Sequence, residues 1–187
     1  AQYRISIISV HTNLDKADQG LNDYFAFKLG IRAGGPLIAG NHSPGGPIPG
    51  DTSVSTGIGR FGTLKESMPV RELALQIRNT LGMDTIRVIG DLGRQVENVA
   101  VCTGSGGSLV DHFISSDADV FITGDVKYHE ARAVEDAGKA MIDTGHFGSE
   151  HMAIELISAR MKDAGKRAGM SFELLEFLEE KDPFIIV

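Results

Sequence analysis

Apolar positions along the chain fall into two periods. Short β-branched runs read as strands, and stretches with apolar residues three or four apart read as helices. Tyr3–Val10, with Ile5, Ile7 and Val10, reads as a strand, followed by a polar turn over His11–Gly20. Leu21–Leu29 then carries helical spacing up to a stop at Gly30, giving a β-loop-α opening. Ala33–Gly50, broken by Pro36, Pro44, Pro47 and Pro49, predicts a long surface loop. Glycine alternation within Thr52–Thr63 (Gly57, Gly59, Gly62) predicts a strand or turn with something packed closely over it. Pro69–Leu81 reads as a helix with Leu73, Ile77 and Leu81 on one face and Gly82 as its stop. Beyond it come short strands at Thr85–Ile89 and Asn98–Cys102, a helix at Leu109–Ser116, a buried strand at Asp119–Thr123 and a helix at Tyr128–Ala137. A strand at Ala140–Asp143 and a longer helix at Ser149–Ala168 complete the pattern. Ser171–Glu179 suits either strand or helix, and Pro183–Val187 reads as a final strand. The alternation predicts an α/β fold with right-handed crossovers around a mainly parallel sheet flanked by helices.

Composition narrows the partners. The formal charge of −7 and pI near 5.3 argue against nucleic acid, because phosphate neutralisation needs clustered Lys and Arg, and the longest basic cluster is Lys166-Arg167. No run approaches the roughly 18 apolar residues of a membrane helix. A single cysteine, Cys102, excludes an intrachain disulfide framework and a cysteine-based zinc site, and fits a reducing, cytoplasmic setting. The chain has 23 glycines, against about 13 at average usage, so many positions need turns or close approach.

Ligands in parallel sheets gather at the carboxyl ends of strands. Polar residues follow predicted strands at His11–Asp15, Thr103–Ser108, Thr123–Glu130 and Asp143–His151. Two of these segments pair a histidine with a carboxylate four residues on, His11 with Asp15 and His146 with Glu150. Imidazole and carboxylate together suit Zn, Fe, Mn or Co; equally, Asp15 and Glu150 read as helix caps or first-turn acids and the histidines as polar loop residues. Four of the six histidines (His11, His129, His146, His151) fall at or just after predicted strand ends, which favours the metal reading. The Gly104–Ser108 loop precedes a helix, so its N–H groups could cradle an anion, although it lacks both phosphate-loop and dinucleotide fingerprints; the other reading is a tight strand-to-helix turn. Cys102 beside that loop reads better as a small core residue than as a nucleophile.

Five motifs in order carry a resemblance. They are His11-Thr12-Asn13-Leu14-Asp15 with Gly20-x-Asn22-Asp23, then Gly57-x-Gly59-Arg60-x-Gly62, then Val99-Ala100-Val101-Cys102-Thr103-Gly104-Ser105-Gly106. Asp119-Val120-x-Ile122-Thr123-Gly124-Asp125-x-Lys127-Tyr128-His129 and Asp143-x-Gly145-His146-x-x-Ser149-Glu150 complete the set. Together they closely resemble the Nif-three-like family, whose members are known as GTP cyclohydrolase 1 type 2 homologues. The resemblance implies that residues 1–187 form one two-lobed unit, without the inserted middle domain of some members, in a ring-shaped homohexamer. It also implies a dinuclear metal centre (Zn, Fe, Mn or Mg), with Glu150 bridging both ions, His146 on one and Asp15 on the other. His11 would then be a proton-transfer group and His129 a pocket residue, with Arg60 and Gly104, Ser105 and Gly106 as candidate substrate phosphate contacts. The family's adjacent His-His pair has no counterpart here. With a start on Ala1 that enters a strand within two residues, this leads to the expectation that an N-terminal portion is missing.

The function so implied is a dinuclear-metal-dependent hydrolase acting on a nucleotide-like substrate. For a cyclohydrolase, activated water attacks the purine at C8, and His11 or His129 shuttles protons. The rival reading is a non-catalytic metal-binding, metal-delivery or regulatory interaction protein. A plain nucleotide-binding domain without metal is weaker, because neither phosphate fingerprint is complete.

Overall fold

The computed structural model describes Tyr3, residues 5–39 and residues 57–185. In chain order its elements are α1 (Thr12–Lys16), α2 (Leu21–Lys28), β1 (Arg32–Ala33), β2 (Ile38–Ala39), β3 (Gly57–Ile58), β4 (Arg60–Pro69), α3 (Val70–Thr80), β5 (Arg87–Ile89) and β6 (Gln95–Ser105). A 3-10 turn at Gly107–Leu109 leads into α4 (Val110–Ser115), followed by β7 (Val120–Gly124), α5 (Tyr128–Asp136), β8 (Ala140–Asp143), α6 (His146–Glu150) and α7 (Ala153–Arg167).

Six strands form one sheet in the order β1-β4-β6-β7-β8-β5, and β2 pairs with β3 apart from it. Parallel pairing is confined to the centre, β6 with β7 and β7 with β8; β1–β4, β4–β6 and β5–β8 are antiparallel. The sheet is therefore mixed, which corrects the expectation of a mainly parallel one. The helical crossovers β6-α4-β7 and β7-α5-β8 supply the length that a parallel return requires, whereas β4 and β5 take edge-ward places that need no such crossover.

Alternation along the central strands sends side chains to two cores. On one face Val99, Val101, Ile122 and Ile142 pack with Phe25, Leu73 and Ile77 from α2 and α3. On the other, Ala100, Cys102, Phe121 and Met141 pack with Phe113 and Val134 from α4 and α5. The expected close packing at the glycine-rich strand is present: a Cβ on Gly62 would lie 2.5 Å from the Arg32 carbonyl oxygen of the adjacent strand. Of that expected segment, 52–56 lies outside the described residues, as does 40–50 of the expected surface loop.

Several expectations are corrected. Residues 5–10 form no strand, and Ile5, Ile7 and Ile8 are exposed. Their alternation is right for a strand, but among the described residues no strand pairs with them, and an unpaired strand is not stable. The expected turn at His11–Gly20 contains α1, started where Asn13 Oδ1 accepts the His11 N–H at 2.8 Å. The long helix expected from Ser149 is two helices, α6 and α7. Residues 170–185 have no helix or strand, so neither Ser171–Glu179 nor the described part of Pro183–Val187 is regular; 186–187 lies outside the described residues. Among the described residues no helix is long and apolar enough to cross a membrane.

Candidate metal centre

The carboxyl ends of β6, β7 and β8 meet α1 and α6 at one place, and the two histidine–carboxylate segments meet there. Asn22, fully buried on α2, joins the first to the sheet: its Nδ2 donates to the Asp15 carbonyl (3.1 Å) and its Oδ1 accepts the Thr103 N–H (2.8 Å). Thr103 Oγ1 in turn donates to Asp15 Oδ1 at 3.3 Å. On the other side, α6 opens at His146 and ends at Glu150, so one helical turn places Nε2 3.2 Å from Glu150 Oε2. Asp125, in the loop after β7, holds His146 Nδ1 at 2.7 Å. Gly104 forms the floor. Its φ of +64° and the site above it both demand glycine, since a Cβ would lie 2.3 Å from Glu150 Oε1 and 3.2 Å from His146 Nε2.

Burial pushes both the Asp15 and Glu150 carboxyls above the usual range; the Thr103 hydrogen bond and the His11 and His146 charges oppose this at Asp15. At Glu150 the His146 charge opposes it while the Asp15 charge adds to it. His146 is raised, chiefly by its hydrogen bond to Asp125. Two carboxylates disfavoured by burial and by each other are stabilised by a shared cation, and an imidazole whose far nitrogen is held by a carboxylate is set up to offer the near one to a metal. The oxygen and nitrogen donors thus fit a hard-to-borderline divalent ion. Among the described residues, however, no three His, Cys, Asp or Glu side chains are grouped closely enough to hold a metal ion. A cavity of about 710 Å³ opens beside His146 and Glu150, walled by Met83, Phe147, His151 and Phe184, with the Phe147 and His151 rings stacked 4.6 Å apart.

The same two carboxylates act on the core beneath. Burial, then the Asp15 and Glu150 charges, push the Cys102 thiol up to about 12. Cys102 of the native protein is therefore expected to resist iodoacetamide at pH 8 and to react on unfolding in guanidinium; rapid native labelling, followed by mass spectrometry, would contradict the burial of the β6 end.

Residues 1–183 match the family model described as Duf34/NIF3 (NGG1p interacting factor 3). The chain belongs to the NIF3 family. It is 31% identical over 187 residues to a GTP cyclohydrolase 1 type 2 homolog of Streptococcus pneumoniae, covering 98% of this chain and 65% of the relative. It thus spans just under two thirds of that relative's length. In fold it is similar to a Staphylococcus aureus hypothetical protein (TM-score 0.86, 20% identity, 100% of this chain and 70% of the other). A Bacillus cereus protein related to NIF3 is also similar (TM-score 0.81, 19% identity, 95% and 72%).

In this NIF3-family chain the remaining expected site residues divide. His11 caps α1, exposed, and its charge reaches both Asp15 and Glu150. His129 is exposed in the first turn of α5, edge-on to Tyr128 at 5.5 Å, and is not among the described residues that line the cavity. Arg60 is corrected outright. It is 3% exposed, and its five N–H groups go to Asp23 Oδ1 (2.6 Å) and Oδ2 (2.8 Å) and to the carbonyls of Ala17, Gly57 and Gly59, leaving none for a substrate phosphate. Of the anion cradle expected at Gly104, Ser105 and Gly106, one donor is already engaged. Gly104 N–H is taken by Ser149 Oγ at 2.8 Å, Gly106 packs under Thr123, Gly106 O accepts the Leu109 N–H, and Ser105 is exposed. Asn22, Asp125 and Ser149 have no separate role in the pattern of the sequence. All three stand inside the motifs given above, Asn22 and Ser149 as buried polar residues on α2 and α6 and Asp125 in the loop after β7.

Proposed function

We propose that this NIF3-family protein is a dinuclear-metal-dependent hydrolase in which Asp15, His146 and Glu150 hold the ions and a nucleotide-like substrate occupies the adjoining cavity. The observation that supports it is the meeting of Asp15 and Glu150, both disfavoured as half-buried anions, with a His146 ring oriented by Asp125. Divalent ions bound there would supply Lewis acidity and a water acidified toward neutral pH. The chain's own part is to bind and aim. Thr103 and Asn22 fix Asp15, Asp125 keeps the proton of His146 on Nδ1, and Gly104 leaves room for the Glu150 carboxylate to move between partners. His11, exposed at the start of α1, is the group placed to carry a proton in and out. GTP as the substrate, with attack at the purine C8, rests on the relatives' name. A homohexamer in the cytoplasm belongs to the same proposal.

Purified protein loaded with Mn, Zn or Fe is expected to retain close to two equivalents where all ligands are present, and to turn over GTP or a phosphoester only when loaded. Metal near zero after gel filtration would overturn the reading. One observation favours a second reading, metal delivery: the His146 side chain is 47% exposed, open to exchange with a partner. Rapid transfer of bound metal to a chelator with no turnover on any nucleotide would select it.

A further inference from the structure

Asp143 closes β8, and its side chain is 1% exposed. A carboxylate so buried must be satisfied by donors, and three converge on it. Oδ1 accepts the Gly145 N–H at 2.9 Å; Oδ2 accepts the Val126 N–H at 3.3 Å and a guanidinium N–H of Arg87. The two amides belong to different loops, one after β7 and one after β8. Each loop carries half of the Asp125–His146 pair, and each passes through left-handed backbone, at Asp125 (φ 55°) and Gly145 (φ 67°). Such a conformation at a residue with a side chain persists only where its surroundings fix it. Strand register pairs Thr123 with Asp143 and so sets the loops side by side. It does not decide which way the Asp125 carboxylate faces. Arg87, opposite Asp143 on β5, completes the brace by also donating to the Val126 carbonyl at 3.4 Å.

We propose that Asp143 is the positioning residue of the centre: by holding the Val126 and Gly145 amides on one buried carboxylate, it fixes Asp125 against His146 Nδ1 and leaves Nε2 turned toward Glu150 and a divalent cation. The proposal rests on reading His146 and Glu150 as ligands. Asp143 touches neither substrate nor metal; it acts through Asp125 and His146, as the outer partners of ligating histidines do.

The test is Asp143→Asn in the 187-residue chain. The amide that replaces one carboxylate oxygen presents N–H groups to donors, so one of the two tethers is lost while size is kept. In metal-free protein, hydrogen exchange at the released amide, Val126 or Gly145, is expected to rise at least tenfold while Ile122 and Val101 keep their protection. The nitrogen chemical shifts of His146 should move from a single tautomer to a mixture. Affinity for Co(II), followed by its absorption bands, should fall 10–100-fold. Unchanged exchange at the two amides overturns the proposal. So does faster exchange with unaltered Co(II) affinity, which would make Asp143 a loop staple only, or a uniform rise across the sheet, which would make it a general structural residue. If the wild-type protein itself binds no Co(II), the metal centre fails, and the His146 tautomer in wild type and variant still decides the positioning role. Should Asp143→Asn not fold, the wild-type protein decides. Protection of Val126 and Gly145 matching Ile122, with a scalar coupling from the Gly145 nitrogen to the Asp143 carboxyl carbon, upholds the tether, and open-loop exchange without that coupling overturns it.

Discussion

Arg60→Leu is expected to cost about 3–5 kcal/mol of folding stability, the range for breaking one partner out of a buried ion pair. The guanidinium joins the Asp23 carboxylate on α2 to the carbonyls of Ala17, Gly57 and Gly59, so leucine orphans acceptors in three segments together. The Asp23 side chain is 24% exposed and regains some water, which places the cost toward the lower end. Asp23→Ala is expected to cost more, because the side chain it strands, Arg60, is 4% exposed and cannot rehydrate. Urea unfolding checks both, read as a shift in midpoint at constant slope. A loss below about 1 kcal/mol for Arg60→Leu would mean that water replaces the guanidinium, contrary to its burial.

Glu150→Gln is expected to do the opposite, leaving stability intact and removing function. Glutamine keeps the shape and discards a charge that burial and Asp15 both disfavour, so the melting temperature of metal-free protein should hold or rise. Metal affinity should fall by more than about 100-fold, beyond what loss of an outer partner costs, and the melting-temperature gain on adding metal should vanish. Calorimetric titration with Mn and Zn, beside thermal scans with and without metal, reads both effects. Full metal binding by the variant would remove Glu150 from the ligand set.

Much of this arrangement was legible in the chain. The α3 helix is announced by Leu73 and Ile77 one turn apart, and both are buried. The short, mainly apolar runs that form β7 and β8 are buried along their whole length, as strands should be in a sheet covered on both faces. Strand direction was not legible, because the pattern that makes β4 a strand is silent on which neighbour it joins. Its exposed Lys65-Glu66-Ser67 stretch, where the pairing with β6 shifts register, hides half of the strand from any apolar pattern. Residues 5–10 show the converse, alternation in a segment that joins neither edge of the described sheet. At the site, the His11/Asp15 and His146/Glu150 spacings were legible because each is local to one helical turn, and the structure brings the two segments together. Arg60 misled because its partner Asp23 lies 37 residues away. Only the folded chain shows the guanidinium to be spent, and only there does Asp125 meet a histidine 21 residues on.

The pairing of Thr123 with Asp143 has a last consequence. The loops bearing Asp125 and His146 leave adjacent, fully buried strands at matched positions, so the distance between them is set by the interstrand repeat of about 4.8 Å. That repeat is among the least compliant lengths in a protein. A ligand arriving here would find His146 and its Asp125 partner already spaced and would give up little conformational freedom in meeting the imidazole, so binding would draw on rigidity that the hydrophobic core had established during folding.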